Sequence, residues 1–343
     1  MKSNANFLFA LLLSLILSSF IFTNEIPFLS SIESALPGQN ILTQEKPEYQ
    51  VNQFSSKQFN EQGFLNSTLT ADSLSFFSSN EQSLLEMPTI EIYPQRDLPS
   101  KNVLPNWRVK SHMAISHAPN NLVTLNNNVE LSQLNSGTPL TVYSQAMDLL
   151  LSEKIVKSES LVTIISNQNE IKGENFESRL QESYMEIKSN VSSQIHQLEK
   201  TEKSKNIKQP LLITAGFFKL ENQGTKATYM NKVRLKQNNI TITADRVEII
   251  KNGDKQLAYV YGKPAYFEQK PTLNQSKILA QAERFEFDSQ EQKLKLYQNA
   301  KLQQGDAIVE GDYLYYDTKS ENVGAESKTN SRVKMTLPAN PVK

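Results

Sequence analysis

The chain contains no cysteine, which excludes disulfides, thiolate metal sites, a cysteine nucleophile and a lipid-modified N-terminal cysteine. Histidine is nearly as scarce. His112, His117 and His196 are the only three, and the five-residue spacing of the first two is read more simply as solvated or structural histidines than as a metal pair or a general base. No glycine-rich phosphate loop and no Gly-x-Ser-x-Gly elbow occurs, so any energy the process needs comes from a partner. Charge of one sign is missing too: 36 basic residues balance 36 acidic ones, which removes the electrostatic case for a nucleic-acid partner. The 343 residues suffice for two domains, since domains commonly run to roughly 100–200 residues.

What is present begins with an apolar run. From Phe7 to Asn24 there is no charged residue, and leucine, isoleucine and phenylalanine dominate after Lys2. Eighteen residues of helix span about 27 Å against a hydrocarbon core of about 30 Å, so an uncleaved anchor and a cleaved export signal are both physically possible. Glu33 stands where cleavage after Ala35 would want a small residue, which favours an anchor over 1–24 with the amino terminus inside. Residues 25–48, rich in Pro, Ser, Gln and Asn, read as a spacer. Between 173 and 203, Phe176, Leu180, Tyr184, Ile187, Val191, Ile195 and Leu198 recur at steps of three and four, the stripe of an amphipathic helix. That helix either packs on its own domain, acts as a rigid spacer or meets a partner, within a linker over 167–210.

Elsewhere the period is two, which means strands: Thr68 to Phe77, Trp107 to Ile115, Lys232 to Gln237, Ile240 to Ile250 and Phe285 to Phe287 alternate apolar with polar. A repeat underlies the alternation. A small residue followed by a polar one occurs at Ala71-Asp72, Ala244-Asp245, Ala282-Glu283 and Gly311-Asp312, and more weakly at Ser111-His112, Ser144-Gln145 and Ala215-Gly216. Two residues before each stands an apolar residue: Leu69, Val109, Val142, Ile213, Ile242, Ala280 or Val309. Three and five after stand Leu74 and Phe76, Met147 and Leu149, Phe218 and Leu220, Val247 and Ile249, Phe285 and Phe287, and Leu314 and Tyr316; Ala114 with Ser116 departs. Even spacing keeps one face of a strand, so the odd step of three predicts a bulge or kink at the small residue, re-aiming the second apolar segment. Returning strands carry Val129 and Leu131, Val233 and Leu235, Ala300 and Leu302 at a constant offset, with Ile90, Ile92 and Phe267 slightly displaced. Spacings of 40, 33, 29, 38 and 29 between small residues are too long and uneven for a parallel β-helix and fit antiparallel strands in a jellyroll-like double layer.

The segment KVRLKQNNITITADRVE at 232–248, with GKPAYFEQ at 262–269 and NAKLQQGDAIVEGDYLYYD at 299–317, resembles the periplasmic lipopolysaccharide transport family LptA, of OstA-like type. The first half is similar to the membrane-anchored LptC family, through FNEQGFLNSTLTADSLSFF at 59–77, PTIEIY at 88–93, WRVKSHMAIS at 107–116 and NNVELSQ at 127–133. The two resemblances imply an all-β protein with two open, V-shaped β-jellyroll domains, at 49–166 and 211–317, followed by a flexible tail over 318–343. They imply acyl chains held inside each V and jellyrolls joined edge to edge, from an inner-membrane ABC transporter to an outer-membrane translocon. Partners would then be lipopolysaccharide, that transporter, further bridge jellyrolls or the translocon, and the membrane through the N-terminal helix; no cofactor, metal or nucleic acid is implied. The docking edges are expected around Tyr49 to Phe54 and around Asp312 to Asp317.

The repeat therefore nominates a groove lined by Leu69, Leu74, Phe76, Ile90, Ile92, Met147 and Leu149 in the first domain. In the second it nominates Phe218, Leu220, Val247, Ile249, Phe267, Phe285, Phe287, Leu314 and Tyr316. The competing reading is a structural or adhesive envelope protein in which these same columns form a closed core. An enzyme acting on envelope polysaccharide is the third reading; its best carboxylates, Asp72, Asp245, Glu283 and Asp312, follow the small residue and should point outward beside turns. No catalytic residue is assigned.

Overall fold

The computed structural model describes residues 46–95, 103–117, 121–136, 139–196, 209–252, 255–271, 276–288, 291, 293–317, 322–325 and 332–337. The apolar segment at 7–24 lies outside them, and among the described residues no helix is long and apolar enough to cross a membrane. Every regular element described is a strand. The described residues form two compact units: an N-terminal one reaching Val162 and including Arg179–Gln181, and a C-terminal one of Thr163–Ser178 and the residues from Glu182 on.

The N-terminal unit is an antiparallel meander whose long strands bend. β1 (Tyr49–Phe59) pairs along β2 (Leu65–Phe77). Beyond β2 the next two rungs are broken in the middle. β3 (Gln82–Glu86) pairs with the second half of β2 and β4 (Thr89–Ile92) with its first half. β5 (Trp107–Lys110) then pairs with β4, and β6 (Met113–His117) with β3. β7 (Leu122–Gln133) spans both halves again, followed by β8 (Thr141–Leu150), while β9 (Ile155–Ser158) pairs with the end of β8. Two half-sheets result, one on each side of a hinge line.

The C-terminal unit repeats the plan. After β10 (Val162–Ser166), which begins at the boundary, come β11 (Asn169–Arg179) and β12 (Tyr184–Ile195). A broken rung follows, in which β13 (Leu211–Ala215) and β14 (Phe217–Glu221) both pair with β12. Five long strands then run back and forth: β15 (Lys226–Gln237), β16 (Ile240–Asn252), β17 (Lys255–Gln269), β18 (Ile278–Asp288) and β19 (Lys293–Gln304). β20 (Ala307–Asp317) pairs with β19 on one side. Its other side carries β21 (Asn322–Ala325) along the second half and β22 (Lys334–Thr336) along the first.

The hinge lies at the small residues of the repeat. Register shifts fall between Asn126 and Val129, Thr243 and Arg246, Gln281 and Arg284, and Tyr297 and Ala300. In three rungs a single polar residue, Gln145, Asp245 or Asp312, opposes two residues of the neighbouring strand, Asn127-Asn128, Asn231-Lys232 or Gln298-Asn299. All six of those residues have positive φ, the conformation asparagine tolerates best among residues with a side chain. The doubled side lengthens the outside of the bend and turns the strand inward. The inside of the bend has little room, which is why it takes small residues: Ala71, Ser111, Ser144, Ala244 and Ala282 are all buried. At Gly216 a Cβ would stand 2.9 Å from Cβ of Asn231.

Two sequence expectations fail here. Residues 173–195 are not a helix but the strands β11 and β12. Steps of four fit an even-period face as well as a helical one, and the buried Met185, Ile187, Val191, Ser193 and Ile195 of β12 all lie on one side at even spacing. Asn175, Ser183 and Asn190 with positive φ mark bends and a turn that no α-helix contains. The expected flexible tail supplies β21 and β22, so the stretch from Asp312 to Asp317 is an interior strand and not the free edge anticipated. Tyr315 lies over Gly324, where any side chain would collide with its ring, so this last rung is built for its place. β1 is paired only with β2 among the described residues and is largely exposed.

Candidate functional site

Alternation puts every second residue of each strand on the inner face, and pairing stacks these residues across neighbouring strands. In the second half-sheet of the C-terminal unit, one ladder runs Ile187, Phe218, Tyr229, Val247, Val260, Phe285, Leu296, Leu314, Ala325. Two residues further from the hinge a parallel ladder runs Met185, Leu220, Ala227, Ile249, Ala258, Phe287, Leu294, Tyr316, Val323. In the first half-sheet the lane is Ile213, Leu235, Ile242, Phe267, Ala280, Leu302, Val309, Met335. Eight steps at about 4.8 Å between strands make the first ladder about 38 Å long.

The N-terminal unit has the same lanes. Leu74, Leu85, Ala114, Leu125 and Met147 pair in succession in one half-sheet, and Leu69, Ile90, Val109, Leu131 and Val142 in the other. Leu149 pairs with Val123 and Val156, and Ile92 with Trp107. Of the sixteen residues nominated from the repeat, all but Leu69, Phe76 and Leu220 are buried. Phe218 and Phe285 are 1 % exposed and Leu314 is 0 %, so the inner faces are shut against water in this conformation.

Several lane residues escaped the sequence reading. Leu294 and Leu296 sit in the plain alternation of β19, which was legible; Ile187 was assigned to the helix. Tyr229 lies outside the columns of the repeat; its hydroxyl donates to Ser193 Oγ at 3.1 Å, and both residues are buried. Burial pushes the Tyr229 phenol up to about 12, because no water reaches the phenolate that would form.

Outward positions are polar or aromatic. Asp72, Asp245, Glu283 and Asp312 are exposed, and Asn299 Nδ2 donates to Glu283 Oε1 at 2.8 Å across the hinge. No group of three or more His, Asp or Glu able to hold a metal ion occurs among the described residues. On the outer face of the second half-sheet, Arg246 lies 4.2 Å above the ring of Tyr261 and Arg284 4.2 Å above that of Tyr297. Tyr297 packs on Tyr313 with ring centroids 5.1 Å apart. Such cross-strand pairs stiffen a half-sheet from outside.

Residues 9–196 match the family model described as "Lipopolysaccharide-assembly, LptC-related". The chain belongs to this LptC-related family. Residues 212–322 match a second model, "LptA/(LptD N-terminal domain) LPS transport protein", so an LptC-related region is followed by an LptA-like one in a single polypeptide. The lipopolysaccharide export system protein LptH of Pseudomonas aeruginosa is 30 % identical over 132 residues, 38 % of this chain and 75 % of that protein. LptA of Escherichia coli K12 is 32 % identical over 132 residues, 38 % of this chain and 71 % of that protein. The crystal structure of the Pseudomonas aeruginosa LptH covers 38 % of this chain and 96 % of its own, with 25 % identity and a TM-score of 0.35.

Proposed function

We propose that this LptC-related, LptA-like chain transports lipopolysaccharide across the periplasm, holding acyl chains between its half-sheets and bridging an inner-membrane ABC transporter to an outer-membrane translocon. The observation that carries the reading is the unbroken set of apolar ladders crossing every strand of the C-terminal unit from β14 to β21. Pairing in register sets these residues end to end, so a chain lying between the half-sheets would meet an apolar side chain at every rung. An acyl chain of about a dozen carbons costs on the order of 10 kcal/mol in water at about 0.8 kcal/mol per methylene, and a continuous lane removes that cost.

The sixteen nominated residues are the proposed lining. Since most are shut off from water, loading means parting the half-sheets about the hinge, where the chain is already bent by paired left-handed residues. The exposed β1 is the proposed docking edge towards the transporter, by strand addition. The segment at 1–24 is the proposed inner-membrane anchor, single-pass, and transport requires no catalytic residue of this chain. The near-complete burial of Phe285 and Leu314 favours the alternative, a structural protein with a permanently filled core. Trp107, the single tryptophan and 3 % exposed, discriminates between them. Lipopolysaccharide added to the purified chain should shift its emission in proportion to bound lipid. Unchanged emission, with no lipid bound, would favour the filled core.

A further inference from the structure

The margin of the N-terminal unit opposite its hinge is tied shut. In one half-sheet β4 ends at Ile92 and β5 begins at Trp107, both at the end remote from the hinge; in the other, β8 ends at Leu150 and β9 begins at Ile155, also at the remote end. Two hydrogen bonds cross from one margin to the other. Lys154, in the turn between β8 and β9, donates from Nζ to the carbonyl of Tyr93 at 3.0 Å. Trp107 Nε1 donates to the carbonyl of Leu180 at 3.0 Å, and Leu180 is held to the β8–β9 turn by its own N–H, 3.0 Å from the carbonyl of Lys154. All four residues are buried, with Lys154 itself 4 % exposed.

Lys154 is the anomaly in this clasp. A buried ammonium is normally paired with a carboxylate, because an isolated charge is expensive away from water. Here its acceptor is a neutral carbonyl, and among the described residues no carboxylate forms an ion pair with it. Burial lowers its pKa, as desolvation does for any cation left without a counter-charge. An apolar side chain would close the margin without that cost, so closure alone does not account for a lysine.

We propose that Lys154 is a binding residue for the phosphate groups on the headgroup of a lipid entering the N-terminal unit, exchanging the Tyr93 carbonyl for a phosphate oxygen as the margin parts. This rests on the transport reading above. The exchange replaces a neutral acceptor by a charged one, and hydrogen bonds between ionised partners are roughly twice as strong as neutral ones. Lysine serves such a role as a point charge on a flexible stem, able to follow an anion that moves past it. No covalent step is involved, and Trp107 loses its carbonyl partner in the same opening.

The test uses the full-length chain in detergent micelles and two lipids, a lipopolysaccharide with a bisphosphorylated lipid A and the same material after enzymatic dephosphorylation. The wild type should bind the phosphorylated form about tenfold more tightly, the ratio expected of one hydrogen bond to a charged group. Lys154→Met and Lys154→Gln should lose most of that ratio, and Lys154→Arg should keep it. Because the ratio is taken within each variant, a modest change in stability does not distort it. A wild-type ratio retained in both neutral variants would overturn the proposal and leave the transport reading standing. Failure of the wild type to bind either lipid would overturn both.

Discussion

Buried polar pairs show how single residues are fitted to an apolar interior. Tyr229 fills the central ladder with its ring and satisfies its hydroxyl on Ser193, at 3.1 Å. Replacing it by phenylalanine strands the Ser193 hydroxyl and should cost about 1–2 kcal/mol in urea unfolding. The phenol also sets a pH dependence. Its pKa stands at about 12 when folded against about 10 in an unfolded chain. The neutral phenol's contribution is therefore complete below pH 10 and is lost as the pH climbs from 10 towards 12, by roughly 2–3 kcal/mol. Y229F should lack this part of the alkaline decline; parallel stability curves for the two proteins between pH 9 and 11.5 would contradict it. Gly173 is a second residue fixed by its surroundings. A Cβ there would stand 2.4 Å from Ile187 Cγ2 and 2.8 Å from the Ser189 carbonyl, so Gly173→Ala should lower stability by about 1–3 kcal/mol, measured by thermal melting.

At the scale of the element, the kinked strand is the unit from which both halves are made. Ala282 occupies the inside of the β18 bend and is 0 % exposed. Enlarging it to leucine should force the half-sheets apart, destabilising the chain by about 1–3 kcal/mol, whereas Glu283→Gln on the outside of the same bend should leave stability within about 0.5 kcal/mol. Equal losses from the two changes would refute the assignment of inside and outside. Much of this element was legible beforehand, because the apolar columns around Ala244, Ala282 and Gly311 change parity at the small residue, and a parity change inside a strand marks a bulge or kink. The segment from Phe176 to Ile195 was misread for a physical reason: a step of four belongs to both periods, and Ser193, which shares the buried face with Val191 and Ile195, is not apolar. Tyr229 was overlooked for a different reason: the repeat locates its returning strand by Val233 and Leu235, and Tyr229 lies on the other side of the register shift between Met230 and Val233. The rungs broken into β3 with β4, and β13 with β14, could not be told from continuous strands by alternation alone.

On the scale of the whole molecule, the ends matter most. β20 would be a ready template for another chain if β21 and β22 did not cover it. Ending the chain at Asp317 should therefore produce more concentration-dependent self-association in light scattering than the full chain shows at the same concentration. Equal association would mean that the last rung does not guard an edge. β1 carries no such cover among the described residues, and its exposed pattern suits strand addition by a partner. Within each unit the apolar ladders run across the strands, and the central claim is that lipid moves along them. The most direct measurement is photo-crosslinking in living cells, with a light-activated amino acid placed at Phe287, on the inner ladder and 3 % exposed, or at its outward neighbour Glu286, 3.9 Å from Lys295. Lipopolysaccharide adducts at 287 and none at 286 are predicted. Adducts at neither position, in a chain that is exported and folded, would contradict the account and leave a filled structural core.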